Sequence, residues 1–449
     1  GGAVYALATV DIAGAASLTG NKAGKSGGAI YAGQATIGGT ATFTGNLAGT
    51  YGEVVVTTSE EVVPPAEEGG EPTTIVVTTT TTTWNGRGGA IYATGDVSIV
   101  GNATFEKNEA TSGGAIYAET GALNFGGDAS FVENKANKTQ NVTIDQGSRA
   151  GSTDSYDGSN YGAAYASGAT TVAGDLTLAD NVAANSVGGL KSSSLTVEGA
   201  LVATGNVAQN GEVGALETGA AVAKRGATFS NNSAAVSYGA AKLDSLDVFG
   251  ALTVENNNAG GDIGGLGVTG AVKVSNYEIT IGEGEESTTE TVYGDAIFRG
   301  NVAGGQIGAL SASSLDVEGS LVAETNAAQT GAYGAINLAG DLNVAGSATL
   351  TGNKAATNYG AVYAATVSVG GDLTASNNEA TSGVGGAVYA KGALTIDGSA
   401  TLSGNKAGKN GGAIYAGQAK IGGTATFSGN LAGTYGEVVV TTSEEVVPP

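Results

Sequence analysis

The chain has 449 residues and a net charge of −23, with 78 Gly, five Pro and no Cys, His or Met. The missing Cys excludes disulfides and thiolate metal sites, and the missing His removes the commonest metal ligand and general base. An acidic surface repels phosphate backbones, which argues against a nucleic acid partner, and no run of roughly 18 apolar residues is present to insert this segment in a membrane.

From the N-terminus, the first element is "GGAVYA" at 1–6, and "GGAIYA" follows at 27–32, 88–93, 113–118 and 411–416. With the second glycine as a marker, units begin at Gly2, Gly28, Gly52, Gly89, Gly114, Gly162, Gly188, Gly214, Gly239, Gly264, Gly308, Gly334, Gly360, Gly386, Gly412 and Gly436. Most intervals are 24 to 26 residues, and those of 37, 48 and 44 read as a unit plus an inserted loop. Each unit runs from Gly-small-apolar through an alternating stretch such as "VSIVG" to "ATFTGN" or a relative of it. Short segments rich in Val, Ile, Thr and Phe, split by Gly and Asn, are strand chemistry; a helix needs apolar steps of three and four. Three short strands and their turns fill a unit. Stacked units predict an all-β parallel solenoid of sixteen coils, a rod of roughly 75 Å at about 4.8 Å per coil.

The slot two residues after the marker is apolar, from Val4, Ile30 and Val54 to Ile414, and is expected to point inward. The next slot holds Tyr5, Tyr31, Tyr92, Tyr117, Tyr165, Tyr363, Tyr389 and Tyr415, but also Lys191, Glu217 and Lys242, so it is expected to face water as an aromatic contact stripe absent from the middle coils. The slot of Phe43, Phe105, Phe131, Phe229, Phe298 and Phe427 reads as core. Nearly every unit closes on Asn-x-Ala, at Asn21, Asn46, Asn108, Asn134, Asn181, Asn206, Asn232, Asn257, Asn301, Asn326, Asn353, Asn378, Asn405 and Asn430. Asn tolerates left-handed backbone and bonds local backbone, so these amides are expected to form a ladder from coil to coil at one corner.

Three loops leave the rod, at about 57–83, 137–161 and 276–295; the sole tryptophan, Trp84, follows the first, and the third reads as a hairpin. No cofactor and no catalytic or metal site is expected. Calcium at the acidic stretches "DSYDGSN" (154–160) and "GEGEES" (282–287) is a weak expectation, since the alternating ligand spacing is missing. Residues 385–449 repeat residues 1–65 with few changes, so 1–384 reads as one super-repeat of thirteen coils and 385–449 as the start of the next. With no Met even at position 1 and no leader-like start, the sequence reads as a window from a longer, mature chain.

The alternation of "GGAI" with "FTGN" (43–46), "FEKN" (105–108), "FVEN" (131–134), "FSNN" (229–232), "FRGN" (298–301) and "FSGN" (427–430) resembles the chlamydial polymorphic outer-membrane proteins and related autotransporter passenger domains. That resemblance implies a right-handed parallel β-helix, secretion, display on a bacterial cell surface, and adhesion. The function expected is therefore a non-enzymatic extracellular structural or adhesive fibre segment. Its partners would be copies of itself, end to end or laterally, with surface receptors or glycans as further candidates. An autotransporter-type adhesin is the alternative. A carbohydrate-active enzyme fits less well, since the coils hold scattered acids and only four Arg.

Overall fold

A computed structural model of the protein describes residues 1–50, 53–63, 73–83, 85–137, 140–144, 151–155, 160–281 and 287–433. Trp84, Gly436 and most of the two acidic stretches weighed for calcium lie outside the described residues. Every regular element described is a strand. Each coil climbs through three parallel sheets. The first collects segments such as Ile30–Ala32 and Gln34–Ile37, which fuse into single strands in coils such as Leu216–Ala223. The second collects four-residue strands such as Ala41–Thr44, and the third two-residue strands such as Leu47–Ala48. The second and third sheets hold fourteen strands each, so fourteen coils are described. At about 4.8 Å per coil they make a rod of roughly 65 Å.

Pairing is in register from coil to coil, for example Ile91 on Ile116 and Tyr92 on Tyr117. Alternation then sends every second residue inward: Phe43, Phe105 and Phe131 are buried and stack at centroid distances of 5.0 and 4.8 Å. Further along the same column, Leu178, Ala203, Phe229, Val254, Phe298 and Ala323 alternate large with small, which lets neighbouring layers interdigitate. Phe427 in the last described coil is half exposed, with Leu402 beneath it.

The sequence count needs one correction. Gly52 does not open a coil, because Val54, expected in the core, lies on the hairpin strand Glu53–Val63 and is 58 % exposed. One residue after the marker every true coil has Ala or Gly, as in the fully buried Ala29, Ala90 and Ala115. Gly52 is followed by Glu53, whose carboxylate has no place in that space. The 384-residue super-repeat therefore holds twelve coils, from Gly2 to Gly360, rather than thirteen. The first insertion begins at Glu53 rather than near 57.

The first two insertions are not separate loops. Both leave the rod directly after a third-sheet strand, Leu47–Ala48 and Lys135–Ala136. They join as one antiparallel sheet in which Glu53–Val63 pairs with Thr73–Thr83, that strand with Gln140–Ile144, and that one with Gly151–Ser155. The third insertion is a hairpin of Tyr277–Ile281 with Thr288–Val292.

Candidate functional surface

The Asn column runs through the third corner. The Nδ2 of Asn108 donates to Oδ1 of Asn134 at 3.0 Å and to the carbonyl of Phe43 at 2.9 Å, and its backbone N–H donates to the same Oδ1 at 3.0 Å. Each interior amide thus gives both its protons and accepts two, which satisfies a group buried to 0 % exposure. The column passes all three insertions unbroken, from Asn46 to Asn108, Asn134 to Asn181 and Asn257 to Asn301. The left-handed residue is the one before each ladder Asn, not the Asn itself. Gly fills it in seven coils, and Lys107, Glu133, Asp180, Asn231, Asn256, Thr325 and Asn377 fill it in the other seven. The marker glycines serve a different need. A Cβ on Gly28 would stand 1.8 Å from the carbonyl oxygen of Gly89 in the next coil, so the backbones approach too closely for any side chain.

A second ladder stands at the turn between the first and second sheets, and the sequence reading missed it. Oδ1 of Asp128 accepts from the backbone N–H of Asp175, and Oδ1 of Asp175 from that of Ala200. Ser320 and Ser347 do the same with their hydroxyls further along.

The tyrosine slot faces outward, but its rings cover one another. Tyr5, Tyr31 and Tyr92 stack at 4.8 Å, and Tyr389 on Tyr415 at 4.8 Å. Only the end members, Tyr5 and Tyr415, are exposed, at 62 % and 39 %, and Tyr92 is 7 % exposed. The stripe expected to face water therefore stands outside the core with most of its rings stacked on one another. The Tyr92 hydroxyl donates to Glu119 at 2.5 Å. Burial first, and that bond second, push its pKa well above the usual phenol value. Burial and the neighbouring tyrosines push Tyr359 up to about 12.

Nor is the stripe lost in the middle coils. There the residue just before the marker takes over, as Tyr161, Val187, Val213, Tyr238, Ile263, Ile307, Tyr333 and Tyr359. Tyr161, Val187 and Val213 form a small satellite core of their own. Where the tyrosine slot is full, this position is mostly Gly, as at Gly27, Gly88, Gly113, Gly385 and Gly411. A Cβ on Gly411 would meet Cβ of Tyr415 at 2.8 Å, and one on Gly267 would meet the Tyr238 ring at 2.3 Å. The two slots adjoin one another, and each coil has a large side chain in at least one of them; in the coils of Gly162 and Gly360 both are filled, with Tyr161 against Tyr165 at 4.7 Å and Tyr359 against Tyr363 at 4.5 Å. Lys191 and Glu217, paired at 2.9 Å, take the tyrosine positions beside Val187 and Val213. The sequence signal was that Gly before the marker goes with Tyr three residues after it, whereas coils without that Tyr carry Val, Ile or Tyr before the marker.

At Gly267, Ser311 and Asn337 the tyrosine slot is small in three successive coils, and a groove of about 390 Å³ opens there, lined by Tyr238, Lys242, Ile263, Thr269, Ser313 and Ala339 among others. Lys242 lies 5.5 Å from the Tyr238 ring centre. Among the described residues no group of three or more acidic side chains is arranged to hold a metal ion.

Parallel strands in register on a buried amide ladder define the class: a three-sheet parallel β-solenoid with an appended antiparallel sheet. Residues 16–33, 102–119 and 399–417 match the Chlamydia polymorphic membrane protein repeat. Each matched segment spans a ladder Asn and the marker glycine after it, namely Asn21 with Gly28, Asn108 with Gly114 and Asn405 with Gly412. No curated protein and no solved structure matches the chain.

Proposed function

We propose that this chain is a non-enzymatic segment of an extracellular rod on a bacterial cell surface, continued by further coils of the same kind. The observation that carries the reading is the unbroken Asn ladder, which spans 62 residues between Asn46 and Asn108 as readily as 26 between Asn108 and Asn134. A rod so built tolerates insertions at its corners without losing register, as a long surface scaffold must. The stacked tyrosines and coil-to-coil ion pairs such as Arg87 with Glu119 and Arg299 with Glu324 stiffen the outside. Immunogold labelling of intact cells with an antibody to this segment tests the reading. Extended surface material should be decorated, and label confined to the cell interior would refute it.

A second reading, an adhesin, is favoured by the groove at Gly267–Asn337. An aromatic side wall beside Ser, Thr and Asn side chains, with one ammonium, suits a neutral or singly charged saccharide better than a polyanion. Ser311→Tyr with Asn337→Tyr would refill the tyrosine slot. Binding of oligosaccharides by the native chain, lost in that variant, would support this reading, and the absence of binding by the native chain would remove it.

A further inference from the structure

The appended sheet ends on an unpaired edge. Among the described residues, Glu53–Val63 is hydrogen-bonded to Thr73–Thr83 on one side and to nothing on the other. Among the described residues it is the longest strand, equalled only by its partner, at eleven residues. The side chains from Val54 to Glu60 are all exposed, with Val54, Val55 and Val56 at 58 %, 49 % and 58 %, so neither face of this stretch is covered by the rod. Such an edge is a template for another strand, and folded proteins ordinarily shorten, bend or cover it. The opposite edge of the sheet, Gly151–Ser155, is only five residues long.

We propose that this edge pairs with the same strand of a second copy of the chain, antiparallel about a two-fold axis at Thr58, to make one eight-stranded sheet. The charge pattern selects that arrangement. The acids at Glu60 and Glu61 sit in the second half of the strand and the valines Val54–Val56 in the first. A parallel in-register pair would set Glu60 on Glu60 and Glu61 on Glu61, and like charges directly opposite destabilise a sheet. The antiparallel register centred on Thr58 is the one that uses all eleven residues. It sets Val56 opposite Glu60 and Val55 opposite Glu61, and no acid opposite an acid. A two-fold pairing is also closed, so it joins two rods side by side without running on into an open sheet. This lateral contact is independent of how the rod continues along its axis.

The test is the association constant of the whole chain by sedimentation equilibrium. The native chain should dimerise. Val55→Glu with Val56→Glu places acids opposite Glu60 and Glu61 and should weaken the dimer roughly tenfold or more, whereas Val55→Lys with Val56→Lys should hold or tighten it and make it salt-sensitive. A native chain that stays monomeric overturns the proposal. So does a Glu pair without effect, or a Lys pair as damaging as the Glu pair. Circular dichroism checks that each variant keeps the coils. A monomeric rod still displayed on the surface would leave the proposed function standing while removing this contact.

Discussion

In the coil that opens at Gly114, Tyr117 lies over a glycine, Gly113. In the coil that opens at Gly214, Glu217 stands in the tyrosine position and Val213 fills the space from the other side. Inside, the two coils are alike: Asn134 and Asn232 make the same bonds to the coils next to them. The interior slots fix the rod: the ladder holds Asn in every described coil, and the core columns vary in size but stay almost wholly apolar. The outer slots vary in pairs under one constraint, that at least one of the two adjoining positions carries a large side chain. Three successive coils, those of Gly267, Ser311 and Asn337, meet it only through Ile263, Ile307 and Tyr333, and they are where the groove opens.

The largest expected effect addresses the shared interior. Asn257→Asp removes both protons that Asn257 gives to Asn301 and to the Phe229 carbonyl, and sets a carboxylate among carbonyls. It should cost about 4 kcal/mol in urea unfolding, and Asn108→Asp should cost about the same. A twofold difference between them would show that the two regions are not alike inside. Next comes the outer face. Tyr31→Ser, Tyr92→Ser and Tyr117→Ser together should remove about 3 kcal/mol through lost ring stacking and burial while far-ultraviolet dichroism keeps its strand signature. No loss would show that the rings stack without stabilising. Refilling the groove by Asn337→Tyr, which sets a ring against Tyr363 in the next coil and beside Tyr333 as Tyr363 stands beside Tyr359, should gain about 1 kcal/mol, and a loss would mean that the two slots of this coil cannot both hold a ring.

Two smaller effects follow. Thr325 is the one β-branched residue at the left-handed position, with φ of 53°, so Thr325→Gly should raise stability by about 1 kcal/mol. The tyrosine-faced coils should also be the more sensitive to alkali. The Tyr359 phenol is held neutral up to about 12, above its unfolded value near 10. A raised folded pKa gives stability that is whole below the unfolded value and drains as pH climbs through the folded one. Stability should therefore fall between pH 10 and about 12, and Tyr359→Phe should flatten that fall.

Much of this was legible in the sequence because each slot repeats many times. Inward Ile, Val and Phe and closing Asn announce themselves when the same letter returns in coil after coil. Features fixed by close approach were harder. The left-handed residue before each Asn is Gly, Lys, Glu, Asp, Asn or Thr, so no letter marks it, yet the backbone bends there in every coil. Gly52 was misread because "GEVV" copies the spacing of "GAIY"; the Glu in a slot that holds only Ala or Gly was the cue. The joining of the first two insertions depends on both leaving the same corner two coils apart, which becomes visible only once the coils are stacked.

Electron diffraction from aligned native surface filaments tests most directly the claim that this chain is a segment of such a rod. The account predicts a spacing of about 4.8 Å along the filament axis, the distance from coil to coil. The same spacing across the axis, or surface material with no such repeat, would contradict it.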